Sequence, residues 1–90
     1  MNITCVCGMG IGTSMLLKMN VEQAAASLGI DADVSTSDIG TAKGAAQSAD
    51  LIITSAELAE ELTGLSTPVA VVRNFTDISE IETALREKIQ

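Results

Sequence analysis

Short apolar runs, set apart by stretches of helical spacing, constrain this chain more than any other feature. Ile3 to Cys7, Asp50-Leu51-Ile52-Ile53-Thr54 and Pro68-Val69-Ala70-Val71-Val72 are largely continuous runs rather than alternating ones. Such runs suit strands buried on both faces of a parallel sheet. Asp31-Ala32-Asp33-Val34-Ser35-Thr36 has mixed polarity and reads as a short strand at a sheet edge. Leu17, Val21, Ala24, Ala25 and Leu28 make one apolar stripe on a helix running from about Met15 to Leu28. Gly29 stands at its C-cap. A loop is expected at Asp38-Ile39-Gly40, then one or two helical turns from Thr41 to Gln47. Ser55 should cap a third helix with Leu58, Ala59 and Leu62 facing inward and Gly64 at its end. Asp77 and Glu80 form a capping box before a last helix whose stripe is Ile78, Ile81, Leu85 and Ile89.

This βαβαβαβα pattern predicts an α/β fold with a four-stranded parallel sheet and helices on both faces. A buried first strand and an edge second strand, joined by right-handed crossovers, favour strand order 2-1-3-4. Ligands in such open sheets bind beyond the carboxyl ends of the strands, where the order reverses. Here that switch point lies between strands 1 and 3.

The chain's chemistry is expected at the same place. Cys7-Gly8-Met9-Gly10-Ile11-Gly12-Thr13-Ser14 follows the first strand and leads into a helix starting at Thr13 or Ser14, either of which can cap it. Unsatisfied amides at a helix start carry partial positive charge and attract anions. A cysteine beside them should ionise more readily than a free one. Before Glu22 the chain has no Asp or Glu, and Lys18 is its only charged side chain. That distribution suits a site that accepts an anion.

Composition narrows the classes. Ninety residues make one small domain, residues 1–90. Hydrophobic residues are 47% of the chain, which argues against disorder, and Phe75 is the only aromatic. Five Lys and Arg against twelve Asp and Glu, a net charge of −7, supply no basic face for nucleic acid. No apolar run approaches the roughly 20 residues of a membrane span. The start shows no signal-peptide pattern, so a soluble, cytoplasmic protein without membrane insertion is expected. The chain has no histidine, so Cys-His nucleophile pairs and His-ligated metals are excluded. No metal or cofactor is expected.

Three loop chemistries compare poorly or in part. The glycines begin like the dinucleotide fingerprint, but Gly12 is one residue early and Thr13 holds the third glycine's place. No lysine precedes Thr13 or Ser14 as an ATP-binding loop requires. The low-molecular-weight tyrosine phosphatases, which share this Rossmann-like fold class, use a Cys-x5-Arg-Ser/Thr loop. Counted from Cys7, Thr13 falls where their arginine stands and Ser14 in the hydroxyl position. Without that bidentate clamp, and with no general acid placed by the sequence, a phosphoryl group can be held on sulfur but is poorly hydrolysed.

Ile3 to Val21, ITCVCGMGIGTSMLLKMNV, resembles the start of the enzyme IIB components of the bacterial sugar phosphotransferase system. The likeness is nearest to the ascorbate type and more distant to the galactitol type. Ala49-Asp50-Leu51-Ile52-Ile53 and Val71-Val72-Arg73-Asn74 extend it over nearly the whole chain. The resemblance implies a protein-phosphohistidine–sugar phosphotransferase. Cys7, at the family's phosphocysteine position, would take a phosphoryl group from a phosphohistidine of the IIA protein. It would pass that group to a sugar, ascorbate or one like it, carried by the membrane IIC component. Amides of Gly8 to Ser14, with the Thr13 and Ser14 hydroxyls, are the expected phosphate ligands. A cysteine-dependent phosphatase or arsenate reductase on the same fold, or a binding module that keeps only the cradle, are the competing classes.

Cys5 reads as a small buried core residue. In a strand it lies roughly 6.6 Å from Cys7 along the chain, near the upper limit for a disulfide. Met15 and Met19 read as core filling, and Met9 and Ile11 as positions that meet the IIA and IIC partners. Arg73 should lie on the carboxyl-end face, two strands from Cys7. Lys18, one turn beyond Ser14, would add positive potential there or stay solvated.

Overall fold

The computed structural model of the chain describes residues 1–6, 11–62, 64 and 66–89, and at residues 11–14, 39, 41, 43, 45 and 89 the backbone alone. Its elements run β1 (Asn2–Val6), α1 (Ile11–Ser27), β2 (Asp33–Ser37), α2 (Ile39–Ala46), β3 (Leu51–Thr54), α3 (Ala56–Ala59), a 3-10 turn (Glu60–Leu62), β4 (Val69–Val71) and α4 (Ile78–Ile89). The described strands form one parallel sheet in the order β2-β1-β3-β4, as the pattern of apolar runs predicts.

Side-chain alternation along β1 divides the core between two layers. Ile3 and Cys5 join Leu51 and Ile53 of β3 under α1 and α4, where Leu17, Val21, Ala24, Ile81 and Leu85 are fully buried. Val6 and Ile52 face the other way, onto Ala42 and Ala46 of α2 and Leu62. Cys5 is thus a core residue, wholly enclosed. The edge strand β2 keeps no fully buried side chain.

Local expectations hold where one residue controls the backbone. Gly29 has φ +73° and ends α1 in a Schellman turn: Ile30 N–H donates to Ala25 O at 2.9 Å and Gly29 N–H to Ala26 O at 3.2 Å. Pro68 precedes β4, and its carbonyl accepts the Ile52 N–H at 2.9 Å.

Three expectations are corrected. Helix α1 starts at Ile11, so Thr13 and Ser14 lie within its first turn rather than capping it. First-turn amides need no intrahelical acceptor, so the weak helix formers Gly12 and Thr13 fit there. Asp38-Ile39-Gly40 is not a loop, because α2 begins at Ile39. Ala42 and Ala46, one turn apart, gain burial against Val6 and Ile52 that outweighs the cost of two helical glycines. Met15 and Met19 are not core: they are 46% and 61% exposed. Each lies two residues from the buried Leu17, which turns it about 200° around the helix and away from the sheet.

Glycine substitutions should separate backbone geometry from packing. A Cβ on either Gly29 or Gly44 meets nothing within 4 Å, yet only Gly29 has positive φ. Gly29→Ala should cost about 1 kcal/mol. Gly44→Ala, in the exposed face of α2, should add about 0.5–1 kcal/mol. Urea unfolding of both variants measures the opposite signs.

Candidate functional site

The strand order places the switch point at the carboxyl ends of β1 and β3. Strand β1 ends at Val6 and α1 begins at Ile11, so four residues, Cys7, Gly8, Met9 and Gly10, link the central strand to the helix start. These four lie outside the described residues. The helix is 17 residues long with no acidic side chain in its first turn, so the positive end of its dipole is not offset locally. Of the expected phosphate ligands, Ile11, Gly12, Thr13 and Ser14 therefore place their backbone at that end, beside the sheet's switch point.

Polar residues gather where the other strands end. Thr54, the last residue of β3, pairs in register with Val6. Its hydroxyl donates to the Val6 carbonyl at 2.9 Å, and both residues are fully buried. Its own carbonyl accepts the Val72 N–H at 2.9 Å. Ser55 follows in an extended conformation and caps α3, its Oγ accepting the Leu58 N–H at 3.4 Å. At the end of β2, Ser37 Oγ donates to Asp38 O at 3.2 Å. Thr54 was not singled out in the sequence, although a lone hydroxyl closing the run Leu51-Ile52-Ile53 at the switch strand is a readable signal.

Arg73 follows β4 and is exposed, with β3 lying between β4 and β1. Its backbone is held tightly. The Glu80 carboxylate accepts the Arg73 N–H at 2.8 Å and the Asn74 N–H at 3.0 Å. The expected capping box is therefore half made. Asp77 Oδ1 accepts the Glu80 N–H at 3.2 Å, while the Glu80 side chain turns back to the β4–α4 turn and the Asp77 N–H donates to Asn74 O. Asn20 of α1 donates from Nδ2 to Phe75 O at 2.6 Å, tying the same turn to α1.

On the outer side of α1, Met15, Leu16 and Met19 stay exposed and form an apolar strip close behind the helix start. Among the described residues, no group of three or more His, Cys, Asp or Glu comes together as a metal site, and no helix is long and apolar enough to cross a membrane.

Comparison with known proteins agrees with this architecture. The family model described as PTS system, Lactose/Cellobiose specific IIB subunit matches residues 2–87. The chain belongs to the IIB family of the phosphotransferase system. A similar IIB protein, the ascorbate-specific PTS system EIIB component of Mycoplasma pneumoniae, is 40% identical over 86 residues, covering 94% of this chain and 90% of the relative. The protein of the same description from Escherichia coli O157:H7 is 36% identical over 89 residues, covering 98% of this chain and 88% of the relative. In fold, the chain is similar to the lactose-specific IIB component domain of the phosphoenolpyruvate:carbohydrate phosphotransferase system from Streptococcus pneumoniae. The TM-score is 0.75 at 17% identity, covering 100% of this chain and 98% of that one. As a IIB component the chain is a phosphoryl-transfer component of that system.

Glu80 offers a test of how the far end of this face is held. Glu80→Ala should lower stability by about 1 kcal/mol, and Glu80→Gln should restore it only in part, because its amide oxygen can take one of the two N–H groups while its amide nitrogen cannot accept the other. Denaturant unfolding gives the loss. Faster hydrogen exchange at the Arg73 and Asn74 amides would place it at this turn.

Proposed function

We propose that this chain is the phosphocarrier of an ascorbate-type system, with Cys7 as the transient phosphocysteine. One observation carries the reading: four residues link the central strand β1 to the positive end of a 17-residue helix, and the first of these linking residues is Cys7. The names of the relatives at 36% and 40% identity support ascorbate as the substrate.

In this reading the Cys7 thiolate attacks the phosphorus of a phosphohistidine on the IIA protein. The S–P bond forms as the N–P bond breaks, and the imidazole leaves. The histidine must be the partner's, because this chain has none. The phosphoryl group then moves to a hydroxyl of the substrate held by the membrane IIC component. An O–P bond forms as the S–P bond breaks, the thiolate is regenerated, and the hydroxyl proton passes to a neighbouring base or to water. A thiolate is both a good nucleophile and a good leaving group, so both transfers can be fast.

The backbone amides from Gly8 to Ser14 would stabilise charge on the equatorial oxygens without a metal. The Thr13 and Ser14 hydroxyls would add hydrogen bonds. The strip of Met15, Leu16 and Met19 would give IIA or IIC an adaptable apolar surface close behind the helix start. The whole of residues 1–90 acts as one carrier domain, and in the cytoplasm it would shuttle between the two partners. Thr13 at the phosphatase arginine position supports transfer to a partner over transfer to water.

Incubation with phosphorylated IIA, followed by peptide mapping, tests the assignment. Wild type and Cys5→Ala should carry label on Cys7, and Cys7→Ser should carry none. Label retained in Cys7→Ser, or turnover of an aryl phosphate by the isolated chain, would sink this reading.

A further inference from the structure

We propose that Thr54 is a positioning residue for Cys7, acting through the carbonyl of the peptide bond that joins Val6 to it; this rests on the role given to Cys7 above. Strand β3 is otherwise apolar, and position 54 is completely buried, so a valine of nearly the same shape would fill the space. A buried hydroxyl is costly unless it is satisfied. This one is satisfied by a single long-range bond, 2.9 Å to the Val6 carbonyl, across 48 positions of sequence. Among the described residues no buried side-chain oxygen or nitrogen lacks a partner.

The position of the bond matters more than its strength. Val6 and Thr54 are the last residues of their strands and lie side by side in the register. The hydroxyl therefore closes the β1–β3 pair at its carboxyl end. The acceptor is the oxygen of the peptide group whose nitrogen belongs to Cys7. Fixing that oxygen fixes the plane of the peptide and the direction in which the chain leaves the sheet. Thr54 is itself held, because its carbonyl accepts from Val72, just past β4, and the following residue caps α3. Three strands and a helix start thus meet at Thr54 and Ser55, with the Thr54 hydroxyl on the Val6 carbonyl. Phosphoryl transfer depends mainly on placement, and a misplacement of about 1 Å can cost on the order of 100-fold in rate.

The test compares Thr54→Val, which keeps shape and removes the donor, with Thr54→Ser, which keeps the donor. Single-turnover transfer from phosphorylated IIA should slow about tenfold or more in Thr54→Val, at a saturating rate and not through weaker docking. Thr54→Ser should stay within about threefold of wild type. Both variants should retain cooperative thermal unfolding. If Thr54→Val does not fold, Thr54→Ala takes its place under the same criteria. Alkylation of Cys7 by iodoacetamide, followed against pH and mapped by peptide mass, needs no phosphoryl donor. Its profile should move in Thr54→Val and return in Thr54→Ser. Wild-type transfer and an unmoved profile in folded Thr54→Val would overturn the proposal, as would equal defects in Val and Ser. Failure of wild type to accept label on Cys7 would instead strike the carrier reading, leaving the alkylation profile to decide the positioning bond.

Discussion

Burial of β1 from every side is the constraint on which the rest of the structure depends. It has β2 and β3 as neighbours in the sheet and a helical layer on each face. A strand so placed must satisfy all its backbone groups within the protein, which holds its register on both sides. Its amino end is held further by side chains. The Asp50 carboxylate accepts the Asn2 N–H at 2.7 Å, and Asn2 Nδ2 donates to Ser48 O at 3.1 Å. Its carboxyl end is held by Thr54. The backbone beyond Val6 therefore leaves from a rigid platform.

That rigidity suits the proposed site, which would be made mostly of backbone. A chain of 90 residues has little room for a constellation of catalytic side chains, and this one lacks histidine altogether. A helix terminus supplies oriented amides and partial positive charge with no side chain at all. Along the chain no acid precedes Glu22, and seven of the twelve lie from Glu57 onward. The exposed Met15, Leu16 and Met19 of α1 belong to the same acid-free stretch of sequence, so in the proposed carrier this stretch would offer a partner neither repulsion nor a competing carboxylate.

Most of the fold was legible in residue pattern. Continuous apolar runs marked buried strands, the mixed polarity around Val34 marked an edge, and the switch point followed from strand order alone. The misreadings share one cause, in that residue type was weighed above position. Met15 and Met19 are apolar but out of phase with Leu17. Gly40 weakens a helix in isolation, but the burial of Ala42 and Ala46 carries α2 through it. Glu80 sits where a capping box puts it, yet two exposed amides of the neighbouring turn compete for its carboxylate and win.

The sequence by itself determined the element order, the cysteine and glycines that follow the first strand, and the absence of acid before Glu22. Those are properties of local spacing and residue chemistry, which read along the chain. Only the tertiary structure decided which groups meet across it: Thr54 with the Val6 carbonyl, Glu80 with the Arg73 and Asn74 amides, Asn20 with Phe75. Each of those bonds depends on how strands align and helices cross. No local preference encodes that geometry, because it is set by the packing of two helical layers on one sheet.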